Sequence, residues 1–253
     1  MKNILLLITL PLFSLSSIAK DVPQDMSNPL AVYTQAGFGI TDKGINIKVG
    51  QTYDTGNADT AAMNVIEIKG IGGKVLGIKS THHYPLVDDS IDSFRFRNFS
   101  VNIKNGRGYQ LDMSYDVETE ILSNSISIIQ ALPKLGIFSL YPLAGVGINV
   151  QNDQTGVNGY SIPGTFGLIG MYTKAQLTKN IWFNYNPMYM SALSGSDNYK
   201  ESAYGNGNSN ILTHEFAISY QINPRSNIRY FANWNKYTDI SKGDHRIEYN
   251  YQF

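Results

Sequence analysis

The stretch His245-Arg246-Ile247-Glu248-Tyr249-Asn250-Tyr251-Gln252-Phe253 alternates polar and apolar residues without a miss from Arg246 onward. A chain with that period turns successive side chains to opposite faces, which is the geometry of a β-strand. Ile247, Tyr249, Tyr251 and Phe253 fall on one face, and Arg246, Glu248, Asn250 and Gln252 on the other. One face therefore suits an apolar surround and the other a polar one.

The same split recurs upstream. In Gly108–Glu118, Tyr109, Leu111, Met113, Tyr115 and Val117 oppose Gln110, Asp112, Ser114, Asp116 and Glu118. In residues 214–222, Phe216, Ile218, Tyr220 and Ile222 oppose Glu215, Ala217, Ser219 and Gln221. Ile228, Tyr230, Ala232 and Trp234 oppose Arg229, Phe231, Asn233 and Asn235, and Ile45, Ile47 and Val49 oppose Asn46 and Lys48. No window carries the i, i+3, i+4, i+7 stripe of an amphipathic helix, so the chain reads as all-β.

Thirteen candidate strands emerge, near 30–41, 44–54, 61–70, 74–82, 93–104, 107–118, 122–132, 137–150, 164–177, 180–192, 210–222, 226–237 and 244–253. The connections between them alternate in length. Residues 104–108, 132–136, 178–180 and 223–226 are tight, whereas 151–164 and 193–210 are long and polar. Long loops at one end and short turns at the other are what a transmembrane β-barrel shows. Single-chain bacterial barrels have even strand numbers. Twelve is the expectation, with ten and fourteen as alternatives and the surplus segment among the first four.

Two features separate this barrel from a secreted β-sandwich. The strands run roughly 10 to 14 residues, near the ~9–11 that cross a bilayer at a tilt and longer than the ~5–6 usual in soluble sheets. The apolar face also carries Tyr185, Tyr189, Tyr220, Tyr230, Trp234, Tyr249, Tyr251 and Phe253. Amphipathic rings suit the headgroup depth of a membrane, while in a sandwich core each tyrosine hydroxyl would need a buried partner.

The first residues, MKNILLLITLPLFSLSSIAK, place Lys2 before an apolar stretch and then small residues. That is the layout of a secretory signal peptide spanning 1–19, and the apolar run is too short for a membrane helix. A polar lead follows at 20–29, and the barrel is expected over 30–253. The lead has no role assigned by its residues; plugging the lumen is one option. The absence of cysteine means that export brings no disulfide framework. Twenty basic and twenty acidic residues leave no global field, which argues against a nucleic-acid partner.

The residues Arg246–Phe253 resemble the closing strand of Gram-negative outer-membrane proteins, with alternating apolar residues, aromatics near the end and a terminal Phe. The resemblance implies that Tyr249, Tyr251 and Phe253 form the signal read by the barrel-assembly machinery. The layout is also similar to the small monomeric porins typified by the oligogalacturonate-specific family. It implies an outer-membrane location, lipid around the barrel and a monomer, without matching any substrate motif.

If the apolar face meets lipid, the polar face lines the interior. Pore-lining candidates are Arg95, Arg97, Asp112, Asp116, Glu215, Arg229, Asn233, Arg246 and Glu248. A two-residue turn at Asn105-Gly106 sets Arg95 opposite Asp116 and Arg97 opposite Ser114. Glu215 is expected beside Asn233, Glu248 opposite Asn233, and Arg229 between Ser219 and Gln252. Phe94, Phe96 and Phe99 all read as outward, which requires a β-bulge near Arg97-Asn98. Phe231, Tyr199 and Tyr204 are aromatics of the interior or loops on which a sugar could stack.

These residues point to a channel for small polar solutes, oligosaccharides among them. Two alternatives stand beside it: a lipid-modifying barrel enzyme and a closed structural or adhesive barrel working through its loops. The enzyme reading rests on Ser191 and His214, both outward by parity. A nucleophile and base must lie within hydrogen-bond reach, and the expected register places His214 opposite Met188, three positions from Ser191. A girdle histidine packed among aromatics explains His214 better. His82 and His83, near Asp88, Asp89 and Asp92, lack metal-ligand spacing. No cofactor, metal or catalytic residue is expected.

Overall fold

The computed structural model describes residues 22–73, 75–78, 91–152, 159–205 and 207–253. Twelve strands form one closed antiparallel barrel in chain order, with β1 and β12 sealing the seam. They are β1 (Gln35–Thr41), β2 (Gly44–Tyr53), β3 (Thr60–Ile71), β4 (Ser93–Asn102), β5 (Arg107–Asp116), β6 (Ile121–Gln130), β7 (Phe138–Asn152), β8 (Tyr160–Gln176), β9 (Ile181–Gly195), β10 (Asn210–Asn223), β11 (Ser226–Asn235) and β12 (Asp244–Gln252). A short helix, α1 (Asp197–Ser202), sits between β9 and β10. No helix among the described residues is long and apolar enough to cross a membrane. None is needed, because closure leaves no unpaired sheet edge for hydrocarbon to meet.

Alternation assigns the faces. Ile126, Ile128, Ile218, Tyr220, Ile247 and Tyr249 are exposed on the outer surface, while Ser127, Ala217, Ser219, Arg246 and Glu248 on the same strands are buried inside. Of the thirteen candidate segments, 74–82 is the surplus one: Val75–Gly77 forms a turn after β3, and residues 74 and 79–82 lie outside the described residues. β1 starts at Gln35, five residues later than its alternation suggests. The chain before it turns inward through two hydrogen-bonded turns, Asn28 N–H to Asp25 O and Ala31 N–H to Asn28 O, both 3.0 Å. Asp25 and Asn28 side chains accept from Ser27 N–H and Leu30 N–H respectively, the local bonds that make Asp and Asn turn formers.

Registers differ from expectation wherever a turn is longer than its sequence signal. Arg95 pairs with Ser114, Arg97 with Asp112, and Asp116 with Ser93. Gly106 does not share a two-residue turn with Asn105. It closes a longer one in the left-handed conformation, φ 67°, its N–H donating to Asn102 O at 2.9 Å. The Asn102 side chain holds that turn by accepting from Lys104 and Asn105 N–H, and the pairing moves by two residues with parity kept. Glu215 does pair with Asn233 and Ser219 with Arg229. On the next strand, however, Arg229 pairs with Glu248 and Asn233 with Asp244, because the β11–β12 connection folds a 3-10 turn at Ile240–Lys242. His214 pairs with Pro187 rather than Met188, and Ser191 with Asn210.

The expected bulge at Arg97-Asn98 is absent: β4 pairs without interruption on both sides. Phe99 points inward instead, 6% exposed. Asn98 takes the outward position and donates to Tyr53 Oη and Asn64 Oδ1, each at 2.8 Å. An inward phenylalanine is stable there because the interior is apolar at that depth, as described next.

Candidate functional site: the barrel interior

The barrel encloses a cavity of about 1090 Å³. Its wall divides into two halves. The charged half runs over β10–β12 and on through β2–β5. There Glu248, 1% exposed, takes Lys48 Nζ at 2.5 Å, Asn46 Nδ2 at 3.0 Å and Arg246 Nε at 3.3 Å. Glu67 takes Arg97 Nη2 at 2.5 Å and Lys69 Nζ at 3.8 Å. Arg95 grips Asp112 through two bonds, Nε to Oδ1 at 2.8 Å and Nη2 to Oδ2, and Gln110 adds a third contact to the same carboxylate.

Arg229 donates to Ser219 Oγ and Asn184 Oδ1, each at 2.9 Å, and Asn186 donates to Glu215 at 2.8 Å. Phe231 is buried between two guanidiniums, Arg246 at 4.0 Å and Arg229 at 4.6 Å from its ring centre. Each cation is thus drawn to a carboxylate, an amide or a π-face, which is what tolerates charge inside a barrel.

The smooth half covers β6–β9. Ser123, Ser125 and Ser127 form a ladder on β6, and Leu143, Phe166, Leu168, Met188 and Met190 continue the lining. The inward residues of β7 facing Ser127 and Ser125 are Gly145 and Gly147. Gly147 leaves room for Phe166, whose Cζ lies 2.3 Å from where a Cβ would be. Above this half, Tyr199 of α1 is buried and receives a hydrogen bond from Asn149 Nδ2 at 3.2 Å. Ser196 caps that helix by accepting from Tyr199 N–H.

At the tight-turn end, the segment before β1 occupies the interior. Leu30 joins the buried cluster of Phe99, Val101, Ile129, Tyr141, Leu143, Phe166 and Leu168, with Val32 packed beside it. Lys174 Nζ reaches Asp25 Oδ2 at 3.3 Å and also Ser27 Oγ. Tyr141 Oη donates to Asn28 Oδ1 at 3.1 Å. The Asp25 carboxyl lies below its usual range. Burial pushes it up, but the Ser27 hydroxyl and N–H and the Lys174 ammonium together outweigh that effect.

Among the sequence-derived candidates, Arg95, Arg97, Asp112, Glu215, Arg229, Asn233, Arg246 and Glu248 line this cavity. Asp116 sits apart, its Oδ1 accepting from Thr119 N–H and Oγ at 2.8 Å in the turn at the rim. Sequence reasoning passed over Glu67, Lys69 and the serine ladder, although Ile66-Glu67-Ile68-Lys69 and Ser125-Ile126-Ser127-Ile128 carry the same alternation. It also passed over Lys174, whose role depends on a segment nearly 150 residues away.

On the outer face, Tyr185 Oη and His214 Nδ1 lie 2.8 Å apart, and the His214 ring stacks on Trp234 with centres 5.0 Å apart. The Ser191 hydroxyl bonds to Ala192 O and not to His214. Tyr251 and Phe253 pack edge to face at 5.2 Å. Residues 1–19, His82, His83, Asp88 and Asp89 lie outside the described residues. Among the described residues, no group of His, Asp and Glu is placed to hold a metal.

The closed twelve-stranded antiparallel β-barrel is similar in fold to a solved porin. A NanC porin structure superposes with a TM-score of 0.52 at 7% identity, covering 87% of this chain and 98% of that one. A KdgM porin structure aligns with a TM-score of 0.46 at 8% identity, over 88% of this chain and 99% of that one. No protein-family model matches the sequence, and no curated protein matches it either.

Proposed function

We propose that the protein is an outer-membrane channel for passive diffusion of small polar solutes, delivered to its compartment by the 1–19 signal segment. The observation that carries this reading is the cavity of about 1090 Å³, lined by polar and apolar side chains, inside a closed twelve-stranded barrel. Diameter grows with strand number, and eight strands already pack shut with side chains. Cations and carboxylates alternate along the charged half, so ion selectivity is weak and the wall offers hydrogen bonds rather than a net field. The serines and the apolar residues opposite them suit uncharged solutes such as sugars.

Outer-membrane lipid surrounds the barrel in this reading. Tyr249, Tyr251 and Phe253 act as the segment that the assembly machinery recognises, and the working unit is a monomer. Refolded protein in a planar bilayer tests the reading. Discrete conductance steps with little cation–anion preference are expected, together with swelling of liposomes in small sugars. Silence in both assays overturns it.

A further inference from the structure

We infer that the segment Val22–Tyr33 is a releasable plug that closes the tight-turn end of the barrel and sets how far it opens. The inference rests on the channel reading for its consequence, but not for its geometry. Met26, Ser27 and Leu30 are 5–7% exposed, as deeply packed as the barrel's own core. Met26, Ser27, Asn28, Pro29, Ala31 and Tyr33 all form part of the wall of the central cavity. Their partners Lys174, Tyr141, Gln221, Asn227 and Gln252 stand at the tight-turn ends of five different strands. The segment thus lies across that end and not along one wall.

What marks it as releasable is the kind of bond that holds it. Between Val22 and Tyr33 the described backbone–backbone hydrogen bonds are internal to the segment. Its ties to the barrel run through side chains: Gln252 brackets Gln24 by accepting from its N–H and donating to its carbonyl, each at 2.9 Å. Lys174 holds Asp25 and Ser27, and Tyr141 holds Asn28. Meanwhile β1 and β12 seal the barrel by pairing from Gln35–Gln252 to Thr41–Arg246 without help from the plug.

Withdrawal therefore breaks no strand ladder and leaves no sheet edge open. It uncovers a polar clasp that water can solvate and one apolar seat, the Leu30 cluster. Such side-chain-only docking is the sort of local structure that opens well below the free energy of global unfolding.

The chain has no cysteine, so a single introduced thiol reports on the plug directly. Asn227 is 2% exposed and its amide lies 3.6 Å from Met26 Sδ. Asn227→Cys is placed in the full chain, in a chain lacking residues 22–33, and in a chain carrying Lys174→Ala. Alkylation by a charged methanethiosulfonate and single-channel conductance are read on each, with heat-shifted gel mobility confirming a folded barrel.

Alkylation faster by about tenfold or more without the segment, and faster to a lesser degree in Lys174→Ala, is expected, with larger or longer openings in parallel. Equal alkylation in the full and shortened chains overturns the plug and leaves the channel reading standing. Accelerated alkylation with no conductance in any form keeps the plug and sinks the channel. Should the shortened chain fail to fold, Lys174→Ala decides alone: unchanged alkylation there overturns the plug.

Discussion

The two halves of the barrel wall obey the same alternation and yet are built on different physics. On the charged half, long charged side chains are met by partners close by. Arg97 meets Glu67 and Arg95 meets Asp112 one strand away, Lys48 reaches Glu248 across β1 where Gly37 and Gly39 leave room, and Arg246 meets Glu248 along β12. On the smooth half, β6 and the upper part of β7 turn serine and glycine inward, and the space is filled by Phe166 from the neighbouring β8, by Leu30 of the plug and by Tyr199 of α1. One half is held mainly by charge pairs within the sheet, the other by apolar packing to which the plug and α1 contribute. The difference predicts where the barrel is brittle and where it tolerates change.

The largest expected effect is on the smooth half. Gly147→Val sets a branched side chain where Phe166 Cζ would lie 2.3 Å and Asn124 O 2.4 Å from the Cβ. The backbone cannot yield without breaking the β6–β7 ladder, so loss of the folded, heat-shifted band on gels is expected. Survival of that band would show that this wall is looser than its packing.

Glu248→Gln on the charged half comes second. It removes the carboxylate shared by Lys48, Arg246 and Asn46 and leaves two buried cations unmatched, which costs about 3–5 kcal/mol. Urea unfolding in lipid vesicles measures it, and a change under 1 kcal/mol would mean that water already screens the cluster.

A smaller and pH-dependent effect belongs to the rim of the same half. In the β1–β2 turn, loss of solvent around the Asp42 carboxyl, and then the neighbouring Asp244 carboxylate, push its pKa up to about 6. The folded state then holds the proton more tightly than the unfolded one. Its unfavourable contribution is present above pH 6 and is relieved as pH falls towards the ordinary value of 3.8. Melting temperature should rise over that window in the native protein, and Asp42→Asn should flatten the rise. The smallest effect is expected from Ser125→Ala, a neutral hydroxyl on a wetted wall, within ~0.5 kcal/mol. A large loss there would erase the distinction between the halves.

Much of this was legible before any coordinates, and the reason is local. The period of 2 is a property of consecutive residues, so parity assigned Arg95, Glu215, Arg229 and Glu248 to the interior and Ile218, Tyr220, Ile247 and Tyr249 to the outer face. Register was not legible in the same way. It depends on how many residues a turn consumes, and Asn105-Gly106 signals a turn without revealing that Asn102 lengthens it. Each such turn shifted the partners, moving Arg97 onto Asp112 and Arg229 onto Glu248. Phe99 was misread for another reason. Its inward parity looked like an error until Leu30, sixty-nine residues earlier, arrived to cover it.

By itself, then, the sequence determined an all-β chain of about a dozen long strands with one apolar and one polar face. Alternation and turn residues act within a few positions, and they need no partner to be read. The tertiary structure alone decided which charges meet, where the interior turns apolar and what lies across the tight-turn end. Those depend on barrel closure and on the inward fold of Val22–Tyr33, which bring together residues as far apart as Gln24 and Gln252.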